Sequence, residues 1–201
     1  MDLAFAQGFA TSAALIIAIG AQNAFVLRCG LKREHVLVVV LVCAVSDALL
    51  ITLGVAGLGT LVQRSPTLLL LARHGGALFL IGYGVLAARR ALRPSALAAS
   101  AEAPLTLRAA IATCLAFTYL NPHCWLDTVV LLGSISSQQP QGSRAAFGVG
   151  ATAASFVWFF ALGFGARALT GVFARPAAWK LLDATIALVM WGIAASLLLG
   201  R

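Results

Sequence analysis

A chain of 201 residues that is 61% hydrophobic and 10% charged, with a mean hydropathy of +0.98, has too little polar surface to coat a water-soluble globule. Its formal net charge of +8 does not mark a nucleic-acid binder, because the 14 Lys and Arg residues lie mostly in loops beside helix ends and form no single patch. The lipid bilayer is the expected environment, and nothing is left over for a soluble catalytic domain.

A bilayer core about 30 Å thick takes roughly 20 apolar residues per helix, and the sequence supplies six runs of that kind, at residues 3–27, 36–62, 68–92, 109–133, 145–169 and 178–199. The expected fold is an all-α membrane protein, one domain over residues 1–201 with six transmembrane helices.

The first run has only Asp2 ahead of it, lacks a basic leader and is too long for a cleaved signal, so it reads as a retained helix. It ends in "GAQNAFVLRCG", residues 20–30, where Gly20 precedes two side-chain amides, Gln22 and Asn23. Amides are costly in hydrocarbon unless they line a polar cavity. The second run carries Asp47 about eleven residues in, which at about 1.5 Å per residue is roughly 17 Å from its start and near the bilayer middle. No Lys or Arg lies at matching depth, so a substrate cation or a proton is its natural partner.

The third run holds Arg73 near its start, followed by His74; the fourth holds Asn121, Pro122 and His123, then Asp127. Proline inside a helix removes a backbone hydrogen bond and frees a carbonyl, so Asn121-Pro122 marks a break. Asp127 lies at a depth similar to Arg73, which makes the two a candidate structural or gating pair. His74 and His123 are weaker candidates for proton relay. In the sixth run Asp183 follows Lys180 by three residues, the spacing of a local ion pair at the membrane interface.

The segment "RPSALAASAEAPLTL" after the third run lacks helical periodicity and reads as a linker, about residues 94–107, between a first unit (about 1–93) and a second (about 108–201). Three helices return the chain to the opposite side of the membrane, so related halves must be inverted. "YGVLAA" (83–88) and "WGIAAS" (191–196) match late in the third and sixth runs, and the first helix of each half is interrupted. Interrupted helices at corresponding places in inverted repeats point to a transporter binding site.

Cys29, Cys43, Cys114 and Cys124 show no CxxC spacing and read as small packing residues. Gly54, Gly57, Gly59, Gly82, Gly84, Gly163 and Gly165 are expected to let helices approach closely. No cofactor is expected, and no HxxxH or acidic cluster marks a metal site. Ten basic residues flank one set of helix ends (Arg28, Lys32, Arg33, Arg89, Arg90, Arg93, Arg108, Arg167, Arg175, Lys180) and four the other (Arg64, Arg73, Arg144, Arg201). The positive-inside rule puts the richer set in the cytoplasm and both termini outside.

Three stretches, "GAQNAFVLRCGLKREH" (20–35), "CAVSDALLITLGVAGLG" (43–59) and "TYLNPHCWLDTVVLLGSI" (118–135), resemble the LysE-type basic amino acid exporters, and the resemblance extends over nearly the whole chain. It implies a multi-pass carrier of the bacterial inner membrane that expels L-arginine or L-lysine. Cys29, Cys124 and Trp125 stand where close relatives commonly have glutamine, valine and tyrosine, which leaves fine specificity open. The chemistry agrees: a basic amino acid presents a zwitterionic head and a distant cation, so Gln22, Asn23 and Asn121 at broken helix ends suit the head while Asp47 or Asp127 suits the cation.

Exporting a cation from a negative interior works against about 2.3 kcal/mol per 100 mV, a term that exchange for an incoming proton cancels. The expected partners are thus a basic amino acid, protons and the lipid bilayer, with homo-oligomerisation left open. A neutral amino acid or metabolite exporter of the same superfamily, a cation transporter and a purely structural membrane protein are the alternatives; the first would not need two intramembrane carboxylates, and the last would not need paired breaks.

Overall fold

The computed structural model describes residues 2–17, 20–57, 66–92, 104–121, 124–173 and 175–199, for residues 2, 66–69 and 71–73 by their backbone alone. All regular structure among these residues is helical. Helix α1 spans Asp2–Ile16, α2 Ala21–Lys32, α3 Val36–Val55, α4 Pro66–Leu92 and α5 Leu107–Tyr119. A π-helix, Trp125–Leu131, runs into α6, Leu132–Ser137; then come α7 Arg144–Gly165, the short α8 Thr170–Phe173 and α9 Pro176–Leu199.

Among the described residues four helical stretches are long and apolar enough to cross a membrane, and α1 with α2 passes the same test as a pair bent by 81°. Two shorter apolar helices, Leu107–Tyr119 and Trp125–Ser137, occupy the place of the fourth expected run. The chain is a multi-pass membrane protein.

The first run therefore departs from expectation in its details. Gln22 and Asn23 are not in the break but on the first turn after it: Gly20 is extended (φ −118°, ψ 174°), and α2 begins at Ala21. The run also continues past residue 27 to Lys32, which takes Arg28 out of the expected loop and buries it within α2. Helix α2 stops because Arg33 turns left-handed (φ 57°), its N–H capping Cys29 and Gly30 carbonyls, and left-handed His35 (φ 49°) reverses the chain into α3. The second run ends earlier than expected, at Val55, followed by a turn in which Gly57 adopts φ +90°.

Lipid gives no hydrophobic drive for helices to associate, so their contact faces depend on close packing. The chief pairings are α1 with α7, α3 with α7, α3 with α5 and the π-helix, and α4 with α9. A methyl on Gly8 would lie 2.0 Å from the Phe147 carbonyl, and one on Gly150 would lie 2.1 Å from that of Phe5, so α1 and α7 meet backbone to backbone. Gly54 and Gly133 do the same for α3 and α6, and Gly30 sits 2.3 Å from the Gly163 carbonyl by the same measure.

Of the glycines expected to pack, Gly54, Gly84 and Gly163 do so. Among the described residues nothing lies within 4 Å of where a methyl on Gly82 or Gly165 would stand, Gly57 serves the turn after α3, and Gly59 lies outside the described residues. Sequence spacing does not show which side of a helix meets a neighbour, and Gly8, Gly30, Gly133 and Gly150 were missed for that reason. The cysteines pack as expected, with Cys29, Cys43 and Cys114 buried and Cys124 partly so.

Candidate transport site

Each interruption leaves carbonyls at the end of one helix without partners, and in a membrane these must be satisfied internally. The downstream half reaches back to do so in both cases. Asn23 Nδ2 donates to the Ile16 carbonyl at 2.5 Å across the first break. Across the second, Trp125 Nε1 donates to Tyr119 O at 3.0 Å and Cys124 Sγ to Phe117 O at 3.6 Å. Asn23 is also fixed at its other end, where Oδ1 accepts from Trp158 Nε1 of α7 at 3.1 Å. Trp125, one of the residues unusual for the resemblance, thus holds a broken helix together.

Between the two broken segments lies a cavity of about 230 Å³. It is bordered by Gln22, Asn23, Asp47, Asn121 and Asp127, five residues that the sequence singles out from three separate runs. Pro122 and His123 lie outside the described residues, as does the Arg73 side chain, so the Arg73–Asp127 pairing stays an expectation. His74 is exposed, and its Nδ1 donates to the Leu70 carbonyl of its own helix at 2.9 Å, away from the cavity.

The π-helix presents Asp127 and Thr128 to this cavity, with Cys124 just before it and Leu132 just after. A wide turn of this kind changes the helical register locally and is frequent at functional sites; nothing in the sequence marks it. Thr128 satisfies its hydroxyl on the Cys124 carbonyl.

Asp47 is 4% exposed, and Ser155 of α7 donates its hydroxyl to Asp47 Oδ2 at 3.3 Å. Among the described residues Asp47 has no salt-bridge partner. Ser155 was missed by the sequence reading. Its signal would have been a lone serine in the small-residue stretch of the fifth run, but serine is too common in membrane helices to single out.

A second charged cluster corrects another expectation. Asp183 is buried as a structural residue, but its partners are Arg28 Nη1 at 2.6 Å and Arg90 Nε at 3.1 Å, not Lys180. Arg28 also stacks over Trp179 (5.7 Å to the ring centroid) and Arg90 over Tyr83 (5.6 Å), so the cluster ties α2, α4 and α9.

The LysE type translocator family model matches residues 13–201, nearly the whole chain. The chain belongs to the LysE type translocator family. It is a transporter and not an enzyme. The arginine exporter protein ArgO of Serratia proteamaculans is 44% identical over 194 residues, covering 96% of this chain and 95% of the relative. ArgO of Pectobacterium carotovorum is 42% identical over 198 residues, 98% and 97% of the two chains. A Mycobacterium tuberculosis protein with a provisional amino-acid transporter name is 52% identical over 180 residues, 90% of this chain and 89% of its own. No solved structure matches.

Proposed function

We propose that this translocator exports basic L-amino acids, arginine or lysine, across the bacterial inner membrane in exchange for protons. The observation that carries the reading is a single cavity that joins the ends of a broken helix to two carboxylates from other segments. The first turn of α2 has no side-chain cap at Gly20, so its N–H groups offer partial positive charge to a carboxylate, while Asp47 and Asp127 offer negative charge to a guanidinium or ammonium. Relatives named arginine exporter cover nearly the full chain and support the substrate class. A neutral substrate would leave Asp47, which has no salt-bridge partner among the described residues, without a cation to bind.

Within the proposal the roles divide. Gln22 and Asn121 face the substrate head; Asn23 stands in the cavity wall but acts chiefly by holding the break, since both ends of its amide are engaged. Asp47 carries either a proton or the substrate cation. Asp127 assists, or pairs with Arg73 as a gate between transport steps, and Pro122 keeps the fourth run broken.

Two inverted three-helix repeats are part of the same proposal, with α5, the π-helix and α6 counted as one broken span to give six. The packing supports it. Exchanging first with fourth, second with fifth and third with sixth runs maps the α1–α7 pairing onto that of α3 with the second broken run, and it leaves the α3–α7 and α4–α9 pairings unchanged. Asp47 and Ser155, which touch, lie equally far beyond the first residues of their helices, Val36 and Arg144. The matched hexapeptides also meet: Trp191 packs on Gly84, and its Nε1 reaches Ile81 O at 3.4 Å.

The test is efflux of labelled amino acids from preloaded cells with and without the protein. Accelerated loss of arginine or lysine, slowed when the proton gradient is collapsed, is the expected result; loss of neutral amino acids alone would overturn the substrate class. Orientation is tested separately, on a cysteine-free background, by placing a cysteine at position 98 of the linker. It is expected to resist membrane-impermeant reagents in intact cells, and ready labelling would reverse the assignment.

A further inference from the structure

Hydroxyls in membrane helices usually donate to a carbonyl one turn back. Thr52, Thr118 and Thr128 do this here, to Ala48, Cys114 and Cys124. Ser12 of α1 does not: its Oγ is buried, the residue is 0% exposed, and it has no hydrogen-bond partner among the described residues. Ser136 Oγ is also without a partner, but it does not border the cavity. A second such atom in the cavity wall is Gln22 Nε2, on a residue only 9% exposed, with the weakly accepting sulfur of Cys43 beside it.

Both groups border the cavity where the uncapped N-terminus of α2, Gly20 and Ala21, also borders it. Leaving a buried donor unmade is costly, and buried polar groups without partners call for an explanation. Here two residues with buried, unpartnered side-chain donors and the positive end of a twelve-residue helix border one cavity. That combination suits a carboxylate, which accepts several hydrogen bonds and carries the charge that a helix N-terminus favours.

We propose that Ser12, Gln22 and the first turn of α2 form the subsite for the substrate's α-carboxylate, and that the Ser12 hydroxyl selects a basic amino acid over the amine left by its decarboxylation. This rests on the exporter reading above and assigns a residue outside it. Lacking a carboxylate, the decarboxylated amine would leave Ser12 and Gln22 unsatisfied while still placing its distal cation at the acidic side of the cavity. Discrimination by unpaired polar groups is strong for that reason.

The test uses inside-out membrane vesicles containing matched amounts of full-length protein, with uptake of labelled arginine measured against agmatine, its decarboxylated analogue, as competitor. In the wild type agmatine is expected to compete at least about tenfold more weakly than arginine, and Ser12→Ala is expected to raise the KM for arginine about tenfold, the effect of one hydrogen bond to a charged group. Its inhibition constant for agmatine should stay within about twofold of wild type, since no bond to that compound is lost. Gln22→Glu, nearly isosteric, sets a carboxylate against a carboxylate and should weaken arginine while sparing agmatine; it decides the matter if Ser12→Ala fails to reach the membrane. Equal competition by agmatine in the wild type, an unchanged arginine KM in the variants, or equal weakening of both compounds would overturn the subsite. Failure of wild-type vesicles to take up arginine or lysine at all would instead overturn the exporter reading.

Discussion

Asp47→Asn is expected to abolish proton-coupled efflux of arginine and lysine while leaving normal amounts of protein in the membrane. The substitution keeps the size of the side chain and its ability to accept from Ser155, the hydroxyl 3.3 Å away in the wild type, so the contact between α3 and α7 survives. What it removes is the negative charge and the capacity to take up and release a proton. A carboxylate that is 4% exposed and has no salt-bridge partner among the described residues is costly to hold in a membrane unless a cation or a proton joins it. Under the proposed mechanism proton and substrate cation compete for this one group, and exchange follows without a separate coupling device.

The decisive measurement is efflux at matched membrane levels; wild-type rates in Asp47→Asn would make the carboxylate structural and sink the mechanism. Asp127→Asn is expected to lower transport as well. If its function is to pair with Arg73, neutralising Arg73 in the same protein should restore part of the rate.

Asp183→Asn should act on stability, not on coupling. Asp183 is buried between Arg28 and Arg90, with side-chain exposures of 6%, 11% and 18% respectively. Removing the shared anion brings two guanidiniums into mutual repulsion in a confined region, and breaking a buried pair in this way costs about 3–5 kcal/mol. Because the cluster joins α2 to α4 and α9, the loss should loosen the half-helix that carries Gln22. Thermal unfolding of the detergent-solubilised protein should move to clearly lower temperature, and Arg90→Gln in the same chain should restore part of the shift. An unchanged melting temperature would mean that the Arg28–Trp179 and Arg90–Tyr83 stacking suffices without the carboxylate.

How much of this was legible in the sequence depends on the range of the interaction concerned. The bilayer tolerates only long apolar helices, so composition and run length determined the fold class and the approximate segments. The same intolerance exposed Gln22, Asn23, Asp47, Asn121 and Asp127 as candidates, because a polar residue inside an apolar run needs a reason wherever its partners are. The LysE resemblance was legible too, since its motifs are contiguous in the chain.

Partnerships were not legible. Local spacing offered Lys180 for Asp183, whereas the carboxylate found Arg28, 155 positions away, and Arg90, 93 away. The identical element "QN" split into two functions once the break was located at Gly20: Asn23 turned back to the Ile16 carbonyl, and Gln22 faced the cavity. The π-helix at Asp127, the Ser155 hydroxyl on Asp47 and the unpartnered Ser12 depend on how helices distant in sequence rotate against each other. That rotation is set by backbone contacts such as Gly8 on Phe147 and Gly150 on Phe5. A sequence shows that a glycine permits close approach, but only the packed structure decides which helix approaches it, because in lipid every apolar face is equally acceptable until shape distinguishes them.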